Sequence, residues 1–461
     1  MKTKALRQYG KHDLRLEEFE LPPIGADELL VKIVSDSLCM SSYKSAQQGS
    51  DHKRVPQDIA ENPIIVGHEF CGEILEAGAL LKGKSEYAPG RRFALQPAMK
   101  GLFDAAGYSF MYLGGDTQYA IIPKCYIERD CVLPYEGEAW YHASMAEPVS
   151  CVIGAAHASY HTEAGVYEHK MGIRENGKMA ALAAAGPMGL ALIDYIIHCD
   201  RRPSLLVVTD IDDDRLARAR ALLTPEDAAR NGVELVYINT GSCGDPVGAL
   251  RELAGKCGCA GAGSGTTTGA STGETSSAGP GASSSARTDT GFDDVFVLAP
   301  VAAVVEQADA ILGHDGCINF FAGPPDAGFG AKFNFYNVHY NSTHVVGTSG
   351  GNTDDMKEAL AMASAGRINP SILITHVGGL DAARGATLRL PEIPGGKKLI
   401  YTHISLPLTA IDDFEELGKT EPLFKSLAEI CGCAGGSTGS KNSGLWCLEA
   451  ERYLLANAKK I

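Results

Sequence analysis

The chain of 461 residues contains no run of eighteen or more uninterrupted apolar residues, which excludes an ordinary membrane-spanning helix. Basic residues are not in excess: 41 Lys and Arg face 56 Asp and Glu, for a formal net charge of −15. Binding to a phosphate backbone needs a basic face, so nucleic acid is excluded as the main partner. The opening segment, MKTKALRQYGKHDLRLEEF, is charged from the start and lacks an apolar h-region, and on that ground we expect a cytoplasmic protein. The 13 cysteines are odd in number and scattered, which suits reduced thiols and metal ligands better than a disulfide framework.

The length suffices for two substantial domains, and an apolar content of 45% is that of an ordinary globular protein. Up to about residue 150 the pattern is short strands and loops. Glu28–Val34, Phe70–Leu75 and Gln118–Ile122 read as strands between turn signals such as Pro22-Pro23 and Ala88-Pro89-Gly90. After Cys151 buried strands alternate with helices. Met179–Ala184, Leu205–Thr209, Glu234–Ile238, Asp294–Leu298, Cys317–Ala322 and Thr343–Val346 are the strands, and such alternation implies parallel βαβ units. The expected fold class is α/β, with domains at 1–152 and 153–340 and with 341–461 returning to the first.

Two segments interrupt this scheme. Residues 257–290 are almost all Gly, Ser, Thr and Ala, too polar and small to bury surface, and read as a surface insertion. Residues 431–440 are a shorter passage of the same kind. Both begin Cys-Gly-Cys-Ala-Gly. A Cys-x-Cys pair can bind a soft metal or form a redox couple, although two loops of similar composition explain the repeat more simply.

Candidate chemistry lies in four places. Cys39 follows a strand, Gly67-His68-Glu69 follows the apolar Pro63–Val66, and Glu147-Pro148 comes later. A thiolate, an imidazole and two carboxylates suit a single zinc ion with one position open to substrate. Taken singly, a cysteine is more often a small core residue and a histidine more often a hydrogen-bonded structural one. Four candidates for three or four places leave Glu69 and Glu147 unranked. The fourth place is Ala184-Ala185-Gly186-Pro187-Met188-Gly189, between a strand and the helix Leu190–His198, which approximates the G-x-G-x-x-G dinucleotide turn. There Gly186 admits the pyrophosphate, Pro187 and Met188 open the helix, and Gly189 allows close helix–strand packing. Asp210 ends the next strand, where a carboxylate binds the ribose 2′-OH and repels a 2′-phosphate. It favours NAD(H) over NADP(H), a preference that Arg215 in the following helix would soften. As a helix cap, Asp210 would need no cofactor. A metal that polarises oxygen beside a hydride carrier makes a dehydrogenase.

In this order and spacing, Cys39-x-Ser41, Gly67-His68-Glu69, Glu147-Pro148 and Gly186–Gly189 resemble the zinc-dependent medium-chain alcohol and polyol dehydrogenases. The resemblance covers nearly the whole chain outside the two Gly/Ser-rich segments. It is strongest toward L-sorbose-1-phosphate reductases, through stretches such as SDSLCMSSYK, PIIVGHEF, EPVSCVIGA and PGGKKLIYTHISLPLTAIDDFEELGK. It implies a Rossmann doubly wound cofactor domain, a mainly β (GroES-like) catalytic domain and a homo-oligomer. Cys39, His68, Glu69 and Glu147 would be the metal set, with Ser41 and Glu69 catalytic. Ser41 would pass the substrate proton toward solvent, where a turn residue would serve no chemistry.

Relatives often carry four cysteines for a second, structural zinc near residues 96–116. This chain has none between Cys71 and Cys125, so one catalytic zinc and no structural zinc is expected. Relatives often have Asp or His where Ser42 stands, which leaves the usual contact behind a ligand in question. The resemblance also implies conversion of L-sorbose 1-phosphate to D-glucitol 6-phosphate. A phosphorylated sugar entering so acidic a protein needs a cationic pocket, for which Lys44, His52, Lys53 and Arg54 are the candidates, unless they form a solvated loop. The alternatives are a dehydrogenase of unphosphorylated polyols and a zinc-less NAD(P)-binding protein without dehydrogenase activity. Nothing in the sequence suggests a membrane partner.

Overall fold

The computed structural model describes residues 1–163, 165–257, 290–324, 326–433 and 444–461. Residues 258–289 of the expected insertion, with Cys259, and residues 434–440 of the second Gly/Ser-rich segment lie outside these. Two large sheets organise the chain. One has six parallel strands: Lys178–Leu182, Leu205–Asp210, Glu234–Asn239, Phe292–Val297, Leu312–Phe320 and His344–Val346. The first strand is central, the second and third step outward on one side, and the fourth to sixth on the other. This is the strand order of a doubly wound dinucleotide-binding fold, with its switch point between the first and fourth strands. Met179 and Ala181 join one hydrophobic cluster while Ala180 and Leu182 join another, so helices cover both faces.

The second sheet has eight strands. Leu29–Leu38 lies at its centre, antiparallel to Phe70–Ala77, Tyr119–Ile122 and Lys397–Tyr401. Ile374–Gly379 and Thr409–Ala410 extend it, so residues after 370 pair with strands from the first hundred. Two features depart from the sequence reading. The strand expected at Thr343–Val346 is present as His344–Val346 and belongs to the parallel sheet, so that sheet runs past the boundary drawn at residue 340. Residues 140–158 form a 19-residue helix instead of strands and loops, with Pro148 inside it. Fourteen of its residues are buried, so it has no polar face to betray a helical period. It packs against helices Pro187–His198 and Thr353–Ser364 on one side and against strands Leu29–Leu38 and Phe70–Ala77 of the second sheet on the other, and it carries Glu147. Among the described residues, no helix is long and apolar enough to cross a membrane.

Candidate active site

Antiparallel pairing brings the candidate ligands together. Strand Leu29–Leu38 runs directly into Cys39. Its partner pairs Asp36 with Phe70, and the Ser37 amide donates to the Glu69 carbonyl at 3.1 Å, so His68 and Glu69 arrive at the end where Cys39 emerges. The sulfur, one ring nitrogen and one carboxylate oxygen of Cys39, His68 and Glu69 all lie within 4.8 Å of one another. Gly67 is required here: its φ is +93°, and a Cβ would lie 2.2 Å from Asp36 Oδ2. Among the described residues, no other group of three such donors converges this closely.

On the far side of the central strand, Lys398 pairs with Leu38, which sets Lys397 opposite Cys39. Lys397 was not foreseen from the sequence. Its ammonium donates to both Glu69 oxygens, the longer contact being 2.6 Å, and Ser37 Oγ also bonds to Glu69. Burial disfavours an ionised Glu69, but Lys397, then His68, outweigh it and hold the carboxyl below its ordinary range. Burial lowers the pKa of His68, leaving the neutral imidazole that metals take. Burial, reinforced by Glu69, raises that of Cys39. A soft thiol, a neutral imidazole and a carboxylate fit zinc, and binding would displace the thiol proton. Glu147 stands outside the close trio but interacts electrostatically with all three of its members. Burial, then the charge of Glu69, pushes its pKa up to about 7.

Behind His68, Ser42 Oγ lies 3.2 Å from Nδ1, so the short serine makes the contact left in question. Tyr108, also unforeseen, places its hydroxyl 3.2 Å from the same nitrogen. Ser41 is exposed in the first turn of helix Met40–Gln48, and its hydroxyl eases ionisation of both Cys39 and Tyr108.

The four cationic candidates part company. His52 stacks on Tyr108 at 5.4 Å, and the Arg54 guanidinium lies 5.9 Å from the same ring. Arg54 Nε is buried without a hydrogen-bond partner. Lys44 instead donates to the Gly323 carbonyl at 2.9 Å, across to the loop after strand Leu312–Phe320. Lys53 is exposed.

In the parallel-sheet domain, helix Pro187–His198 begins right after the glycine turn with Gly186 as its N-cap, without a capping side chain. A Cβ on Gly186 would meet nothing within 4 Å, whereas one on Gly189 would lie 1.8 Å from the Ala184 carbonyl. The first glycine's place is taken by Ala184, yet it is Ala183 that adopts the left-handed conformation, at φ +55°. The open space over Gly186 and the uncapped helix start suit a pyrophosphate. Asp210 is nearly buried and accepts from the amides of Ala185 at 3.1 Å and Ile211 at 2.9 Å. It joins the turn to a pocket of about 520 Å³ lined by residues 210–215. Arg215 is exposed and bonds locally to Asp212.

A family model for the alcohol dehydrogenase GroES-like domain matches residues 25–129. The chain is 51% identical to a mannitol-1-phosphate 5-dehydrogenase from Aliivibrio fischeri, over 98% of this chain and 97% of that protein. It is 42% identical to an L-sorbose 1-phosphate reductase from Klebsiella pneumoniae, over 100% and 98% of the two chains. In fold it is similar to 2R,3R-butanediol dehydrogenase from Bacillus subtilis, with a TM-score of 0.64 at 18% identity, covering 87% of this chain and 99% of that one.

Proposed function

The chain belongs to the zinc-dependent medium-chain alcohol and polyol dehydrogenases, oxidoreductases of the polyol and sugar-phosphate type, and we propose that it acts on a ketohexose phosphate. The reductive reaction is L-sorbose 1-phosphate plus NAD(P)H giving D-glucitol 6-phosphate. The observation that carries the phosphate is Arg54, a cation beside Tyr108 and His68 with a buried nitrogen that has no partner. A buried, unbonded guanidinium N–H is costly unless a ligand satisfies it, and a phosphate oxygen does so with a charge-assisted bond.

Cys39 and His68 would hold one catalytic zinc, with Glu69 or Glu147 supplying oxygen. Bound there, zinc would supply Lewis acidity toward a carbinol oxygen, and a nicotinamide cofactor over the glycine turn would supply the hydride chemistry. Ser41 Oγ accepts the substrate hydroxyl proton as its own hydroxyl proton passes to solvent, to which it is exposed. Lys397 fixes Glu69 as a carboxylate, and Ser42 and Tyr108 set the orientation of the His68 ring. His52 and Arg54 hold the phosphate. Gly186 admits the pyrophosphate, and Asp210 receives the ribose hydroxyl and disfavours a 2′-phosphate, so NAD(H) is preferred. The convergence of Cys39, His68 and Glu69 speaks against a zinc-less binding protein.

A substrate panel of sorbose 1-phosphate, mannitol 1-phosphate, glucitol 6-phosphate and the free sugars and polyols, run with NADH and NADPH at fixed zinc, tests this reading. Turnover of free sorbose equal to that of its phosphate would refute the phosphate assignment. Exposed Phe335, Tyr336 and Tyr340 lie close in sequence to the outermost parallel strand, His344–Val346, and support a homo-oligomer. A monomeric mass by light scattering would count against that.

A further inference from the structure

The second Cys-Gly-Cys segment takes no part in the chemistry above, yet it brings two thiols together. Helix Pro422–Cys431 and helix Leu448–Asn457 pack on each other, joined by Tyr453 Oη donating to Ser426 Oγ at 2.9 Å. Cys431 ends the first helix, and Gly432 turns the chain in the left-handed conformation, φ 72°. Cys447 is the N-cap residue of the second helix. The Gly444 amide returns to the Cys431 carbonyl at 2.9 Å, which closes the two helix ends on each other. The Cys431 and Cys447 thiols are hydrogen-bonded to one another inside the main hydrophobic cluster. Cys433 turns away, its thiol 3.8 Å from the Ile411 carbonyl.

The two sulfurs stand in unequal environments. The hydrogen bond from Cys431 lowers the pKa of Cys447 to about 7, at a helix N-terminus that also favours a thiolate. The Cys431 thiol is driven the other way by the same bond and by burial. An attacking thiol near neutral pKa beside a protonated, buried partner is the asymmetry of a dithiol pair that exchanges.

We propose that Cys431 and Cys447 form a reversible intramolecular disulfide, with a low-molecular-weight disulfide as the oxidant. The Cys447 thiolate attacks one sulfur of the small disulfide and releases one small thiolate, leaving a mixed disulfide on Cys447. Cys431 then loses its proton and attacks Cys447 Sγ, forming the intramolecular bond and releasing the second small thiolate. Two protein thiols are oxidised, one small disulfide is reduced to two thiols, and the two protein protons end on the products.

The pair is wired to the rest of the molecule. Trp446, next to Cys447, donates its indole N–H to Tyr401 Oη at 2.8 Å, and Tyr401 donates to Glu451 at 2.7 Å. Glu451 in turn accepts from the Trp140 and Tyr141 amides at the start of the helix that bears Glu147. The chain has 2 tryptophans, and both sit on this network, so intrinsic fluorescence reports on it.

The full chain is equilibrated with glutathione buffers of rising disulfide content, and its thiols are labelled before and after reduction. We expect two thiols to be lost together, a mass decrease of about 2 Da without an added glutathione, and a change in tryptophan emission, all reversed by excess glutathione. Tryptic mapping should link the peptides 426–441 and 442–452. C433S should keep the link, whereas C431S and C447S should each lose it. Labelling of the unmutated protein gives the same answer should a variant fail to fold. A protein that keeps all its thiols at high glutathione disulfide, that stops at a glutathione adduct, or that retains the link in C447S would overturn the proposal.

Discussion

Replacing Arg54 with Ala separates recognition of the phosphate from the chemistry of the carbinol. The backbone around Arg54 is held independently of its side chain: its carbonyl accepts from Ser109 Oγ at 2.8 Å, and its amide donates to His52 Nδ1 at 3.3 Å. Truncation should therefore leave the loop, Tyr108 and the metal ligands in place. What is lost is a charge-assisted hydrogen bond, worth about 1.5–3 kcal/mol, or roughly 10- to 150-fold in kcat/KM. The loss should fall on KM for the phosphorylated sugar and leave free polyols nearly untouched. Steady-state kinetics of both substrate types, in the parent and in R54A, measure this. Arg54→Lys should recover only part of the loss, because an ammonium replaces charge but not the planar fork. Equal losses for phosphorylated and free substrates would rule out a phosphate contact at Arg54.

Gly186→Ala meets nothing in the folded protein, so it should leave thermal stability unchanged while raising KM for the cofactor. Gly189→Ala drives a methyl into the Ala184 carbonyl and should cost about 1–3 kcal/mol of stability as well, read by chemical denaturation. Lys397→Met strands a carboxylate whose own exposure is 1% and should cost about 3–5 kcal/mol. Adding Glu69→Gln should restore much of that stability without restoring activity. Burial raises Glu451 to about 7, against the pull of Tyr401 and the Trp140 and Tyr141 amides. With the folded pKa above the ordinary 4.5, its contribution is complete below about pH 4.5 and is lost as pH rises through 7, a change of roughly 3 kcal/mol. The stability of Glu451→Gln should lack that slope, and an unchanged slope in denaturation curves across this range would count against it.

How much was legible in the sequence follows from where the information sits. Cys39, His68 and Glu69 could be picked out because they end or precede alternating strands, and antiparallel pairing then forces them together. The parallel strands were visible as short apolar runs ending in turn residues such as Asp210. Lys397 was hidden because its neighbour across the sheet is set by pairing, not by sequence. Its one signal is its place at the head of the apolar Leu399-Ile400-Tyr401, behind Pro394-Gly395-Gly396. Tyr108 lies in an irregular loop with no period, and only its fold contacts reveal it. The helix 140–158 is apolar all round, so no polar stripe marked it. Lys44 read as part of a basic cluster with His52, Lys53 and Arg54, but it lies on helix Met40–Gln48 and reaches the loop at Gly323 instead.

Whether Cys39, His68 and a glutamate hold one zinc ion is read out by X-ray absorption at the zinc edge together with metal content per chain. We expect one zinc per chain with a single sulfur at about 2.3 Å and the remaining neighbours nitrogen or oxygen at about 2.0–2.2 Å, the sulfur contribution disappearing in Cys39→Ser. A zinc shell without sulfur, a shell of several sulfurs, or full turnover by protein that carries no zinc would contradict it.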